Sequence, residues 1–199
     1  MASGIVIGAG PGIGAAVARR LAREGLRVTV ISRSERAIPG ALALAADVTD
    51  EDALRAALDE AVAAHGVPEV VVYNAGLIRQ DRPGELSAQG HLDAWAINVV
   101  GAITAAAHLA PRMTAGTILI TGGMPEPEPE VTSLSLGKAG VRALTVILAK
   151  QYPELHVATV TIPGAVEPGG RYDPDEIAER YWQLHRQPRA EWEREVLYT

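Results

Sequence analysis

The sequence contains no cysteine, which excludes disulfide bonds and thiolate metal sites. Its five histidines are scattered along the chain without the spacing of a metal site. We therefore expect them at the surface or at helix ends rather than as ligands, and the sequence predicts no metal centre.

The sequence also lacks an excess of positive charge, and its formal net charge is -6. Few cations are available to neutralise a phosphate backbone, which argues against a nucleic-acid partner. No uninterrupted apolar run reaches the roughly 20 residues of a membrane-spanning helix. Strand-like sequence begins almost at Met1, which leads us to expect no signal peptide. Together these shortages predict a soluble, cytoplasmic protein without a membrane partner.

What the sequence does contain is a regular alternation of short apolar strands and longer helices over one domain, 1–199. Strands are predicted at 5–7, 28–31, 41–46, 70–73, 117–120, 157–162 and 195–198. Helices are predicted at 13–24, 92–108, 133–152 and 175–185, and a further helix, which Thr49 or Asp50 can cap, runs through Val62. Continuous apolar strands of this kind are typical of parallel sheets that are covered on both faces. The predicted fold class is α/β, a doubly wound parallel sheet of the Rossmann type in three αβα layers. Its ligand crevice is expected beyond the carboxyl ends of the strands.

Glycines occupy every second position where the first strand leads into the first helix. A backbone that turns sharply and approaches a pyrophosphate closely has no room for side chains, and the amides and dipole of a helix N-terminus attract phosphate. The context of strand, turn and helix predicts that a nucleotide binds at Gly8, Gly10, Gly12, Ile13 and Gly14. The alternative is a tight turn without a ligand.

The end of the second strand favours one nicotinamide cofactor over the other. A carboxylate at this point would bind a ribose 2'-hydroxyl, whereas a cation accommodates a 2'-phosphate. The strand ends in Ser32, Arg33 and Ser34, without an acid at its tip. Arg33 is suited to charge-assisted hydrogen bonds with the phosphate, with Ser32 beside it. We predict NADP(H) over NAD(H), with a solvated Arg33 as the alternative.

Further segments follow the glycine turn in a characteristic order. They supply Asp47 and Val48, then Asn74, Ala75 and Gly76, then Asn98, Lys138, and finally Pro163 and Gly164. Together with the glycine turn, which is similar to a TGxxxGxG motif, these segments resemble the short-chain dehydrogenase/reductase family over about residues 5–166. The resemblance implies an oxidoreductase acting on a small molecule, with cofactor contacts at these segments and at Val166.

The sequence departs from the family at its catalytic tetrad of asparagine, serine, tyrosine and lysine. In the family, tyrosine is the general acid and base, lysine lowers its pKa and holds the nicotinamide ribose, and serine polarises the substrate carbonyl. Asn98 and Lys138 match two members, but the serine position falls on Gly122 and Gly123 and the tyrosine position on Leu134. The family mechanism therefore does not carry over intact.

The catalytic candidates that remain are Lys138, Asn98 and Ser133. A lysine acts as an acid when burial lowers its pKa, whereas an unperturbed serine is a poor acid or base near neutral pH. Capping or solvent exposure is the alternative for Ser133 and its neighbour Ser135, and a structural role is the alternative for Asn98. Thr121, Tyr73 and Tyr172 are the hydroxyls that the topology places nearby.

Two functions are compatible with a site that matches only two members of the family's catalytic tetrad. The first is an NADP(H)-dependent oxidoreductase that acts on a small carbonyl, imine or alcohol. The acidic run at 125–130 would favour a cationic substrate if it lies at the mouth of the crevice, and the alternative is a stiff, solvated connector. The second is a catalytically inactive NADP(H)-binding sensor or scaffold. Small residues on the helices at 92–108 and 133–152 match the family's dimer helices, and the resemblance implies a homodimer or homotetramer.

Overall fold

The computed structural model describes residues 1–35 and 37–199, whose strands form one seven-stranded parallel sheet. The strands are β1 (Ser3–Ile7), β2 (Arg27–Ser32), β3 (Ala41–Ala45), β4 (Val70–Tyr73), β5 (Gly116–Thr121), β6 (Leu155–Thr161) and β7 (Glu195–Leu197). The helices are α1 (Ile13–Arg23), α2 (Glu51–His65), α3 (Ala88–Trp95), α4 (Gly101–Leu109), α5 (Thr132–Gln151) and α6 (Pro174–Arg186). The strand order β3-β2-β1-β4-β5-β6-β7 confirms the predicted doubly wound sheet.

Two apolar cores cover the two faces of the sheet. Buried side chains of α2, α4 and α5 pack on one face, and those of α1 and α6 pack on the other. β1, β4 and β6 are buried along their whole length, as their continuous apolar sequences predict. Because all the strands are parallel, their carboxyl ends meet at one edge, and the strand order reverses between β1 and β4 at that edge.

Helix α3 begins one turn earlier than the sequence predicts. The apolar pattern starts at Leu92, but the side chain of Ser87 accepts a hydrogen bond from the amide of Gly90 and starts the helix at Ala88. Residues 88 and 89 are exposed, so this first turn carries no apolar signal. A short π-helical segment, Ala96–Val100, joins α3 to α4.

The continuous helical run Ala88–Arg112 is long and apolar enough to cross a membrane, with a mean hydropathy of 1.3. Half of that apolar stretch is buried inside the protein. Core helices of soluble proteins meet the same criterion, so the run is weak evidence for a membrane span.

One histidine departs from its expected place. His156 is buried in β6, where its ring stacks on Trp192 and its two nitrogens lie 3.0 Å and 2.7 Å from the carbonyl oxygens of Leu184 and Glu193. The expectation of a surface or helix-end position is wrong for this residue, because the ring bridges β6 to the last turn of α6 and to the segment that follows α6.

Candidate active site

Two adjoining cavities lie at the carboxyl edge of the sheet. The first, of about 510 Å³, lies between the ends of β1, β2 and β4, and the second, of about 650 Å³, lies between the ends of β5, β6 and helix α5. Gly10, Asn74, Gly76 and Ile78 line both cavities. The two cavities therefore form one groove across the point where the strand order reverses.

The glycine turn sits at the middle of this groove and leaves no room for side chains at two of its positions. Gly8 has a φ of +87°, and a Cβ there would overlap the backbone of Ala75. A Cβ on Gly14 would overlap the carbonyl oxygen of Gly8. Asn74 fixes the same carbonyl, because its Nδ2 donates to Gly8 O at 2.8 Å. The turn is thus packed directly against the segment after β4.

Helix α1 begins at this turn with its N-terminus directed to the groove. Its N-cap, Gly12, provides no side-chain hydrogen bond, and its first turn contains no acidic residue. Gly12 and Ile13 line the larger cavity. A helix N-terminus without a side-chain cap offers free amides and positive dipole charge, which suit a pyrophosphate.

The smaller cavity carries several of the residues predicted to contact the cofactor. Ser32, Arg33, Asp47, Val48 and Ala75 all line it, and Arg33 is exposed at its rim. The carboxylate of Asp47 accepts hydrogen bonds from the backbone and the hydroxyl of Thr49, which lower its pKa, and the charge of Arg33 lowers it further. A cation and a fixed carboxylate therefore face the same cavity.

The larger cavity carries Lys138, which is only 9% exposed. Its Nζ donates to the carbonyl oxygen of Thr121 at 2.8 Å. No carboxylate pairs with it among the salt bridges of residues 1–35 and 37–199. Burial lowers the pKa of Lys138 to about 8.

A leucine side chain lies on the cavity wall next to this amine. Leu134 precedes Lys138 by one helical turn and lines the cavity with Ile78, Met124 and Val131. Gly122 and Gly123, which directly follow β5, line the same cavity. A Cβ on Gly122 would lie 2.5 Å from Thr161 Oγ1, whereas a Cβ on Gly123 would make ordinary contacts.

Asn98 and Ser133 do not line either cavity. Asn98 lies in the π-helical segment, where its Oδ1 accepts a hydrogen bond from the amide of Leu77 at 2.9 Å. Ser133 donates its hydroxyl to buried Asp81 at 2.8 Å and its amide to the same carboxylate at 3.0 Å. Asn98 thus fixes the segment after Gly76, and Ser133 is held away from the cavity at the start of α5.

Two of the other hydroxyls proposed from the sequence, those of Thr121 and Tyr73, are already hydrogen-bonded. Thr121 Oγ1 donates to Asn74 Oδ1 at 2.8 Å and lies 2.7 Å from the hydroxyl of Tyr181. Tyr73 lies on the face of the sheet that α2, α4 and α5 cover, where its hydroxyl donates to the carbonyl oxygen of Ile97. Burial raises the pKa of this hydroxyl. Tyr172 packs against Gly164 and Tyr198.

Sequence reasoning missed Tyr181, which begins a directed chain of hydrogen bonds. Since Thr121 donates its one proton to Asn74, the Tyr181 hydroxyl donates to Thr121, and Asn74 then donates to Gly8 O. The chain links α6 through β5 to the glycine turn. No local pattern could have found this chain, because Tyr181 lies 60 residues from Thr121.

The remaining walls come from the turn after β6 and from the acidic run. Pro163, Gly164 and Val166 line the larger cavity, as expected of cofactor-binding residues. Of the three glutamates in the run at 125–130, only Glu128 lines the cavity, and Ser135 Oγ accepts from its amide at 3.0 Å. Glu130 instead pairs with Arg82 at 3.2 Å on the surface.

Known proteins share this sequence pattern and this geometry. The family model of the short chain dehydrogenases matches residues 4–172. The chain belongs to the short-chain dehydrogenase family. This finding confirms the predicted resemblance and places the protein among oxidoreductases that use nicotinamide cofactors and small-molecule substrates.

Individual members of the short-chain dehydrogenase family show how far the similarity extends. The chain is 31% identical to the 3beta-hydroxysteroid dehydrogenase 1 of Eggerthella lenta, over 81% of this chain and 69% of that protein. It is 27% identical to glucose 1-dehydrogenase 2 of Bacillus subtilis, over 92% of this chain and 79% of that protein. A metagenomic short-chain oxidoreductase solved in complex with NADP has a TM-score of 0.88 at 28% identity, with 98% of this chain and 96% of that chain covered.

The packing of the glycine turn predicts unequal effects of alanine at two of its positions. Gly8→Ala introduces a Cβ that overlaps Ala75 at a positive φ and should lower the free energy of unfolding by more than about 1 kcal/mol. Gly10→Ala meets nothing within 4 Å and should leave stability nearly unchanged. Urea unfolding of both variants checks this, and equal losses would contradict the packing.

Burial of Lys138 predicts a pH-dependent cost to the folded state. Its folded pKa of about 8 lies below its ordinary value of 10.5, so the unfolded chain binds more protons between these values. The wild type should therefore gain stability as the pH rises from 8 to 10.5, and the stability advantage of Lys138→Met should shrink over that range. Urea unfolding at several pH values measures this, with exposed Lys150→Met as the control. Parallel curves for Lys138→Met and the wild type would contradict the predicted pKa.

Proposed function

We propose that this protein is an NADP(H)-dependent oxidoreductase of the short-chain dehydrogenase family with an atypical active site. Its substrate is a small carbonyl, imine or alcohol. The observation that carries the proposal is the continuous groove, which has Arg33 at one end, the uncapped N-terminus of α1 in the middle and Lys138 at the other end.

The groove fits a dinucleotide in its charges as well as in its shape. We assign the adenosine and its 2'-phosphate to the smaller cavity, where Ser32 and Arg33 face Asp47 and Val48. The pyrophosphate belongs at Gly12 and the start of α1, since a phosphate there requires the close backbone approach that the glycines allow. The solved relative in complex with NADP supports this cofactor.

Residues of the larger cavity would hold the nicotinamide end: Lys138 would bind its ribose, and Gly76 and the segment from Pro163 to Val166 would contact its ring. When bound, the reduced cofactor supplies the hydride. The chain's own residues hold this end and exclude water with apolar walls at Ile78, Leu134 and Ile162.

Lys138 is the proton donor in this proposal. The cavity lacks a tyrosine, a serine and a histidine among the described residues that line it. An ammonium group whose pKa is about 8 releases a proton more readily near neutral pH than an ordinary lysine does. Asn98 acts indirectly, because it fixes the amide of Leu77 beside Gly76. We assign no chemical step to Ser133, whose hydroxyl is bound to Asp81.

A second function, a catalytically inactive NADP(H)-binding sensor or scaffold, is favoured by one observation. The single hydroxyl side chain in the described lining of the larger cavity is Thr121, which already contacts Asn74 and Tyr181. Such a protein would bind the same cofactor in the same groove. The two functions are therefore separated by turnover and not by cofactor binding.

We further propose that the chain acts as one cytoplasmic domain and assembles as a homodimer or homotetramer through α4 and α5. Both helices expose large apolar side chains away from the groove, which symmetric assembly would cover. These side chains are Val100 and Ile103 beside α4, and Leu136, Val146 and Ile147 on α5.

The proposed phosphate contact of Arg33 predicts a cofactor-selective loss of affinity. Arg33→Ala removes charge-assisted hydrogen bonds to the 2'-phosphate and should raise the Kd for NADPH by about 10-fold to 100-fold. The Kd for NADH, which lacks that phosphate, should not change. Calorimetric titration of both nucleotides measures this, with Arg82→Ala, outside both cavities, as the matched control. An equal loss of affinity for the two nucleotides would refute the assignment.

The place of Leu134 predicts a gain of activity in a tyrosine variant. Leu134→Tyr puts a phenol one helical turn before Lys138 and should raise NADPH-dependent reduction of an activated ketoester, ethyl acetoacetate, by about 100-fold or more. Leu134→Phe is the control, because it adds the ring without the hydroxyl. The loss of NADPH absorbance gives the rate. Equal rates in the two variants, at unchanged NADPH affinity, would show that a phenol at this position supplies no catalysis.

A further inference from the structure

The backbone after β5 has an unusual conformation at Met124. Its φ is +49°, and it is the single non-glycine residue with a positive φ in the part of the chain that the structure describes. This region is disfavoured for a residue that carries a Cβ, so it persists only where the surroundings hold it. Such conformations cluster at functional sites, and Met124 lines the larger cavity.

Arg142 on α5 holds this conformation in place. Its Nη1 donates to the carbonyl oxygens of Gly123 at 3.0 Å and of Met124 at 3.1 Å, and its Nε lies 4.0 Å from a carboxylate oxygen of Glu195 on β7. Lys138, one turn earlier on the same helix, binds the carbonyl oxygen of Thr121. Two cations of α5 therefore fix three carbonyl groups of the chain between Thr121 and Met124.

The direction of these carbonyls determines where the amide of Met124 points. The peptide bond between Gly123 and Met124 is trans and planar, so its N–H points opposite to the carbonyl that Arg142 holds. Gly123 and Met124 line the cavity whereas Arg142 does not, so we infer that this N–H faces the cavity. Within residues 1–35 and 37–199 it has no hydrogen-bond partner, whereas the amide of Gly122 donates to Val160 O at 2.7 Å.

We propose that the backbone N–H of Met124 polarises the substrate carbonyl, in place of the serine that other members of the family use. This inference rests on the proposed function. A free amide that is fixed before the substrate arrives stabilises a developing oxyanion without reorganising during the reaction. Arg142 is its positioning residue, because it never touches the substrate.

The step balances with the groups already described. When bound, the reduced cofactor would supply the hydride for the new C–H bond, and the electron pair of the C=O π bond would move onto the substrate oxygen. The Met124 N–H donates to this alkoxide, and the ammonium of Lys138 then gives it a proton to form the alcohol. The substrate carbonyl would gain the two electrons that the cofactor loses, and solvent would return the proton to Lys138. The substrate class is therefore a ketone or aldehyde.

Acetate serves as a probe for this oxyanion site, because its carboxylate oxygen imitates the alkoxide. We would titrate acetate into the nitrogen-15-labelled protein, free and saturated with NADP⁺, and follow the amide protons by NMR. The Met124 amide proton should move downfield and saturate. In Arg142→Met the acetate affinity read at this proton should fall about tenfold, as expected for the loss of one oriented hydrogen bond. Arg82→Met, which alters a surface ion pair, should behave as the wild type.

The wild-type titration decides the proposal even if a variant does not fold. A Met124 proton that does not respond to acetate overturns it, and so does an equal response in folded Arg142→Met. The amides of Gly12 and Ile13 report NADP⁺ binding in the same spectra. If they do not move on addition of NADP⁺, the proposed function fails, whereas the response of the free protein to acetate still tests Met124.

Discussion

The contact between the glycine turn and the segment after β4 is the constraint on which the rest of the site depends. Gly8 lies against the backbone of Ala75, and Asn74 holds the carbonyl oxygen of Gly8. This contact aligns the start of α1 with the ends of β4 and β5. Without it, the two cavities would not share a wall, and no single ligand could reach from Arg33 to Lys138.

A second constraint is the buried amine of Lys138. An amine in an apolar cavity without a paired carboxylate destabilises its own charged form, and this lowers its pKa. A buried amine of this kind lowers the free energy of unfolding, and its presence is consistent with a functional role. Its single backbone acceptor, the carbonyl of Thr121, also positions the loop that carries Gly123 and Met124.

Much of the fold was predictable from the sequence, because burial on both faces makes each strand a short apolar run. The seven strands and their parallel order follow from that pattern and from the crossover helices. The start of α3 was not predictable from apolar periodicity, because its first turn is exposed and depends on the side chain of Ser87. The buried position of His156 depends on carbonyl groups 28 and 37 residues away.

The residues that line the smaller cavity could be predicted to lie together, because local motifs place them at strand ends. Gly10, Arg33 and Asp47 line the groove, as their places at strand ends indicate. The catalytic half depends on contacts between distant residues. Arg142 and Gly123 are 19 residues apart, Tyr181 and Thr121 are 60 apart, and the hydroxyl of Ser133 points to Asp81, 52 residues away. No spacing rule in the sequence reports such contacts.

The most direct test of the central claim is a crystal structure of the protein with NADPH bound. We expect the 2'-phosphate on Arg33, the pyrophosphate at the N-terminus of α1, and the nicotinamide ribose on Lys138, with the ring between Gly76 and Pro163. A nucleotide bound elsewhere, or one whose nicotinamide ring lies outside the larger cavity, would contradict the account.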